Sequence, residues 1–443
     1  MKNRREKALA YFDKYSEFME TVVESNIERY RKGYGVITVT DKEGNPVAGA
    51  KIKAVQKSHE FKYGANIFML DELETEEKNQ RYKQGFKELF NLATIPFYWS
   101  DLEPEQGKPR YTADSPKIYR RPPTDLCVDF CLENGIEPKC HCLNYDNVVP
   151  KWLKDADVSY HKKMLEKRFR ELAERYAHLI PSWEVTNETF NAYEQEQSKF
   201  YKEDDFVEWS FRMADRYFPC NHLIINDYAA FAHAFRENRS AYYMQIERLF
   251  RNGITHLDSI GMQFHSFFDP SEEEIKAEKL YNPLYLYEVL DLYARFNKKI
   301  QMTEITIPAY SDSEEDQAVQ AELIEKLYTV FFSHPAMEAI IYWNLVDGYA
   351  AFAKQGDMTM GENKYYGGLM NFDLSEKQAY HTVKRLFSQK WRTNTQCESD
   401  KRGEGVFKGF YGGYELEIQV GEKVIKKDFN LLEKKHNKLT VVI

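Results

Sequence analysis

Trp183-Glu184-Val185-Thr186-Asn187-Glu188 and Met302-Thr303-Glu304-Ile305-Thr306-Ile307 are two short runs rich in β-branched residues, each delivering a glutamate at or near its end. Branching at Cβ stiffens χ1 and packs well on a pleated surface, so both runs are expected to be strands. A strand that stops on Asn-Glu or Thr-Glu presents its carboxylate at the carboxyl end, which is where a parallel barrel keeps its chemistry.

Working outward from these two runs, the same kind of segment recurs along most of the chain. Apolar, β-branched stretches occur at 61–67, 90–97, 136–143, 180–185, 222–226, 257–264, 299–305 and 339–345. Between them lie amphipathic stretches such as 160–177 and 204–217, with apolar residues at helical spacing. Alternating strand and helix, eight times over, predicts an α/β protein built as a (β/α)8 TIM barrel. Glu188 then follows the fourth strand and Glu304 lies on the seventh. Closing the barrel carries both carboxyl groups to one mouth, although they are far apart in the chain.

Two carboxyl groups facing one another at such a mouth are the equipment of a retaining glycosidase, in which one protonates the leaving oxygen and the other attacks the anomeric carbon. Glu188 fits the first role and Glu304 the second. Desolvation in the cleft and the charge of its partner are expected to keep Glu188 protonated until the covalent intermediate forms. No cofactor or metal is required.

Several motifs make the resemblance to a known family specific. Asn187-Glu188, Gln263-Phe264-His265, Thr303-Glu304 and Tyr342-Trp343 resemble the motifs of glycoside hydrolase family 10, the endo-β-1,4-xylanases. His141-Cys142-Leu143, Pro150-Lys151-Trp152, Asn226-Asp227-Tyr228, Leu102-Glu103-Pro104 and Lys377-Gln378-Ala379-Tyr380 fall in family order too, over about residues 61–387. The resemblance implies a substrate site in which Asn187 offers its amide to the sugar hydroxyl beside the reacting carbon. His141, Gln263 and His265 complete a polar floor, Trp343 offers a flat apolar wall, and Tyr228 is a further contact. The partner implied is a β-linked oligo- or polysaccharide.

Departures from the family pattern cluster at the glycone side. After the second strand this chain reads Thr94-Ile95-Pro96-Phe97-Tyr98-Trp99, so Ile95 stands where the family has Asn and Tyr98 where it has Lys. A second tryptophan expected just past Asp347 is replaced by Ala351, with Tyr349 and Phe352 as substitutes. Thr306 stands where the family has an Asp that charges the strand-six histidine, so His265 is expected to be neutral. Cleavage of xylan-type substrates is therefore one reading. An exo-acting β-glycosidase on short oligosaccharides or aryl glycosides is another, and a catalytically silent carbohydrate-binding barrel a third.

The flanks are expected to form the rest of the protein. Residues 1–33 read as one amphipathic helix capped by Gly33, and 34–57 as a β-hairpin around Asp41-Lys42-Glu43-Gly44-Asn45-Pro46. Residues 58–392 are assigned to the barrel and 403–443 to C-terminal strands that join the hairpin in a small accessory β module. Phe407, Phe410, Tyr411 and Tyr414 raise the possibility of sugar binding there, against the blander reading of a lid packed on the barrel.

Net charge of −9 over 443 residues argues against nucleic acid or an anionic membrane as partner. The first residues hold no uncharged apolar run of the kind an export signal needs, so the chain as written is expected to be cytoplasmic, or secreted if a leader was removed. Cys127, Cys131, Cys140 and Cys142 around His141 match no common zinc spacing, and six cysteines in so long a chain read as reduced thiols.

Overall fold

The computed structural model describes residues 3–190, 198–232 and 240–443. The chain builds a closed eight-stranded parallel barrel from β3 (Lys62–Asn66), β4 (Leu92–Pro96), β5 (Glu137–His141), β6 (Ser182–Asn187), β7 (His222–Asp227), β8 (Ser259–His265), β9 (Lys299–Thr306) and β10 (Met337–Tyr342), with β10 paired to β3. All eight segments expected to be strands are strands. Their continuous burial has a simple cause: side chains of β4 and β6 are covered on one face by the barrel interior and on the other by helices. In the helix Val158–Tyr176 the buried residues Leu165, Phe169, Leu172 and Tyr176 recur at three- and four-residue spacing, and the Asp157 side chain caps it by accepting from the Tyr160 amide at 2.8 Å.

Two irregularities in strand pairing matter for the mouth. The register between β6 and β7 slips at Glu184 to Thr186, and that between β8 and β9 slips at Met262 to Gln263, so that Gln263 stands beside Glu304 and His265 beside Thr306. Such bulges re-aim side chains at the ends of strands.

The N-terminal segment is helical but broken, with pieces Arg4–Ala8, Ala10–Lys14, Ser16–Phe18, Met19–Val23 and Glu24–Tyr30; residues 1 and 2 lie outside the described residues. Leu9, Phe12, Met19, Val23 and Ile27 are buried, as their spacing predicts. Arg4 anchors the start, its guanidinium reaching Glu273 at 3.0 Å and Asp316 at 2.9 Å. The expected cap at Gly33 is corrected: the helix stops at Tyr30, and Gly33 already belongs to β1 (Lys32–Thr40).

The expected hairpin is also corrected. The chain does turn at Asp41, whose carboxylate accepts from the amides of Glu43 and Asn45, and one bridge joins Thr40 to Pro46. Beyond it β1 and β2 (Lys51–Gln56) part company and enter different sheets. β1 lies between β12 (Glu404–Phe410) and β15 (Lys438–Val442), whereas β2 lies between β11 (Asn394–Glu398) and β13 (Gly412–Val420), which pairs onward with β14 (Lys423–Leu431). A two-stranded ribbon leaves its apolar face wet. Two sheets close over Ile37, Val39, Ile52, Leu416, Ile418 and Phe429 and bury that face on both sides.

This module sits under the barrel, at the amino ends of its strands. Arg31 at its root donates to the carbonyls of His334 at 2.5 Å and Met337 at 2.8 Å, and Lys299 at the start of β9 pairs with Glu433 at 3.2 Å. Phe407, Phe410 and Tyr414 are buried, so those aromatics pack inward and do not form a sugar-binding face. The module covers the end opposite to the glutamates.

Candidate active site

Glu188, the first residue past β6, has φ +49°, a left-handed backbone that is uncommon away from glycine and clusters at functional positions. Its surroundings enforce that conformation. The Glu188 amide donates to the Asn226 carbonyl at 3.1 Å, and the next amide, Thr189, donates to Asp227 Oδ2 at 2.9 Å. The turn aims the Glu188 side chain into the mouth, where Tyr145 donates its hydroxyl to Oε2 at 2.6 Å and Gln263 donates Nε2 to Oε1 at 2.9 Å.

Glu304, on β9, has its own donors. Asn226 Nδ2 lies 3.0 Å from Oε1 and His265 Nε2 lies 3.0 Å from Oε2. Asn226 ties the arc together, because Nδ2 also donates to Asn187 Oδ1 at 2.8 Å while its own Oδ1 accepts from the Thr303 hydroxyl at 2.5 Å. Asn187 Oδ1 also accepts from Gln263 Nε2 at 3.3 Å, so its oxygen is occupied and its NH2 is left for a ligand. Space for Asn226 comes from Gly261: a Cβ there would stand 2.7 Å from Asn226 Oδ1 and 2.8 Å from the Ile225 carbonyl.

Burial pushes the Glu304 carboxyl up to about 8; repulsion from Glu188 and Glu184 adds to this, and His141 opposes it. The sequence gives no sign of this rise on the nucleophile. Asp227 and Asp146 near Glu188 are likewise pushed up, to about 7 and about 6, by burial first and by the charge of Glu188 after it. All three carboxyls therefore favour the protonated form more than a free carboxyl does. Burial lowers His265, which is then a neutral imidazole. With Nε2–H directed at Glu304, Nδ1 accepts from the Thr306 hydroxyl at 2.9 Å, in the place where the family pattern has a carboxylate.

His141 is buried between the Glu184 carboxylate, which takes its Nδ1, and the Tyr98 hydroxyl, 3.0 Å from Nε2. Glu184 also pairs with Lys139, so one fully buried carboxylate is shared by Lys139 and the His141 ring; burial raises its pKa, but these two partners outweigh it and bring it down to about 2. Trp343 stands edge-on to Phe68, His141 and His265, with ring centroids 5.4, 5.6 and 5.8 Å away.

These groups converge on a cavity of about 1150 Å³ whose walls include Glu188, Glu304, Asn187, His141, Gln263, His265, Trp343 and Tyr228. These are the eight residues given a catalytic or sugar-contacting role from the sequence. Of the two substitutes for the missing tryptophan, Phe352 is at the mouth and 88% exposed, but Tyr349 is corrected: it is buried, stacked on Phe372 and bonded to Glu74, and does not line the cavity. The sequence reading missed Tyr145, Glu184 and the adjacent Arg120 and Arg121. Tyr145 and the arginines lie in loops, where no periodicity marks them, and Glu184 could have been found from its partners Lys139 and His141 on the neighbouring strand. Among the described residues no group of three or more His, Cys, Asp or Glu side chains is placed to hold a metal ion, and no helix is long and apolar enough to cross a membrane.

The model of glycosyl hydrolase family 10 matches residues 54–386. The chain belongs to that family. Endo-1,4-beta-xylanase B of Thermotoga neapolitana is 23% identical over 347 residues, spanning 74% of this chain and 88% of that protein. The anti-sigma-I factor RsgI6 of Acetivibrio thermocellus is 23% identical over 410 residues, which is 90% of this chain and 46% of that protein, so the chain spans less than half the length of this relative. Among solved structures, xylanase 10B from Thermotoga petrophila in complex with xylobiose superposes with a TM-score of 0.59 at 22% identity, over 75% of this chain and 95% of that one. This family 10 chain shares the barrel of the xylanases and carries in addition the β module under its floor.

Proposed function

We propose that this family 10 protein is a retaining glycoside hydrolase that cleaves β-linked xylan or xylo-oligosaccharides by double displacement. The observation that carries the reading is the division of donors between two carboxyls on one cavity, Tyr145 and Gln263 on Glu188 against Asn226 and His265 on Glu304. Glu304 attacks the anomeric carbon while Glu188 protonates the departing glycosidic oxygen; water then enters, gives its proton to Glu188 and releases the sugar with configuration kept. Charge developing on the sugar ring favours the ionised form of Glu304, with Asn226 and His265 donating to its two oxygens. Asn187 NH2 takes the neighbouring hydroxyl, a hydrogen bond that strengthens in the transition state.

An exo-acting β-glycosidase is the second reading, favoured by the glycone side of the cavity. There Phe68, Tyr98, Arg120 and Arg121 form the wall that an open polar trough would otherwise occupy. Product analysis separates the two. A ladder of oligomers from xylan marks endo cutting, and single sugars from short chains or aryl glycosides mark exo cutting. Hydrolysis by Glu304→Ala protein at the parent's rate refutes both, as does inversion of the anomeric proton signal in the first product.

A further inference from the structure

Arg120 is a buried charged group on this cavity that cleavage of a neutral sugar chain leaves unused. The residue is 5% exposed, lines the cavity, and makes no direct ion pair with any carboxylate among the described residues. Its bonds go to neutral oxygens, Asn344 Oδ1 at 3.2 Å and the Tyr349 carbonyl, and its Nε has no partner among the described residues. The backbone there is strained too, with φ +62°. Arg121 follows immediately, its guanidinium 4.1 Å over the Tyr98 ring, and only this second arginine has an acid, Asp101 at 3.1 Å. Two adjacent guanidinium groups thus have one carboxylate in direct contact between them, Asp101. Glu362, on the same wall, acts on Arg120 only from a distance, with Asn344 between them. A desolvated cation with no carboxylate in direct contact is costly, and such sites persist where a ligand supplies the contacting anion.

The neighbours define what that anion is attached to. Tyr98 connects Arg121 to the sugar floor, since its ring lies under the guanidinium and its hydroxyl meets His141. Phe68 lies 5.6 Å from the Arg120 guanidinium and packs edge-on to Trp343, giving apolar surface beside the charge. Sugar hydroxyls can accept the free N–H but cannot neutralise the cation. A carboxylate does both, and guanidinium forks match it in a bidentate way. Resting on the carbohydrate reading of this cleft, we propose that the glycone side takes a hexuronic acid unit, whose carboxylate is received by Arg120 with Arg121 beside it.

The test compares short β-1,4-linked oligosaccharides alike except that the non-reducing unit is glucuronic acid in one and glucose in the other. Binding to the Glu304→Gln protein is read by calorimetry, so no turnover is needed. The uronate compound is expected to bind about tenfold or more tighter, the scale of a hydrogen bond to a charged group. Arg120→Met is expected to bring the ratio close to one, with Arg120→Lys retaining part of it; if Arg120→Met does not fold, Arg121→Gln is expected to reduce the same ratio. Equal or weaker binding of the uronate compound, no binding of it at all, or a preference untouched by the variants overturns the inference. Failure of the parent protein to cleave xylo-oligosaccharides refutes the hydrolase reading alone, because the binding ratio is measured without catalysis.

Discussion

Asn226 Nδ2 stands 3.0 Å from Glu304 Oε1 while the same nitrogen donates to Asn187 Oδ1 at 2.8 Å. One amide therefore positions both the carboxylate assigned to attack and the residue assigned to hold the adjacent hydroxyl. Asn226→Ala is expected to lower kcat/KM by about ten- to a hundredfold, from the loss of a hydrogen bond to a charged group. The fall should lie mostly in kcat, and Asn226→Ala protein with unchanged kcat would remove Asn226 from the site.

Gly261 supplies an independent check on the same arrangement. A methyl group at this position would press on Asn226 Oδ1 from 2.7 Å and on Thr303 Cγ2 from 2.9 Å. The Ile225 backbone carbonyl at 2.8 Å leaves it no room on that side, so the side chains must yield. Gly261→Ala is expected to lower activity as Asn226→Ala does, and the double variant should lose little beyond either single one, which a double-mutant cycle measures.

The raised carboxyl of Glu304 has a signature in stability. Its pKa rises from 4.5 unfolded to about 8 folded, so between those values the folded protein binds more protons than the unfolded chain. Stability from this group is complete below about 4.5 and is lost as pH rises toward 8, by about 1.4 kcal/mol for each unit of that interval. Glu304→Gln, neutral at every pH, is expected to match the parent near pH 4.5 and to become increasingly more stable than it toward pH 8. Parallel denaturation midpoints across this range would mean that Glu304 is ionised throughout.

The barrel was legible because eight buried parallel strands must each be apolar and β-branched on both faces, and such runs stand out against amphipathic helices. Glu188 and Glu304 were legible because they end such runs. The fate of β2 was not, since alternation in residues 51–56 reveals which face is buried and says nothing about which strand lies alongside. Arg120, Arg121 and Tyr145 were hidden for a related reason: they reach the cavity from loops, where only the closed barrel brings them near Tyr98 and Glu188. The shift on Glu304 depends on burial from all sides, which no local pattern carries.

Phe352 offers an aromatic face at the cavity mouth with 88% of its surface exposed. Little in the fold depends on it, so Phe352→Ala is expected to leave thermal stability within about 0.5 kcal/mol. A sugar ring stacked there should be missed, at the scale of about 0.5 to 1.5 kcal/mol for an aromatic contact, as a several-fold higher KM on longer substrates with kcat retained. Steady-state kinetics on short and long oligosaccharides check this, and identical KM values for all lengths in the variant and parent would place the substrate elsewhere.

Thr306 decides the charge of the group beside the nucleophile. Its hydroxyl meets His265 Nδ1 at 2.9 Å and supplies no counter-charge, so burial keeps the imidazole neutral and Glu304 receives only a neutral donor through Nε2. Thr306→Asp places a carboxylate at Nδ1, which favours protonated His265. The resulting imidazolium, 3.0 Å from Glu304 Oε2, stabilises the carboxylate and pulls its pKa down from about 8. Since attack requires ionised Glu304, kcat/KM in the parent is expected to climb with pH up to that value, and in the variant the climb should begin and end at lower pH. The pH dependence of kcat/KM on an activated aryl glycoside, whose leaving group needs little help from Glu188, isolates this limb. A limb that stays in place although His265 has become charged, as followed by its ring proton signals, would show that the ionisation controlling attack belongs to another group.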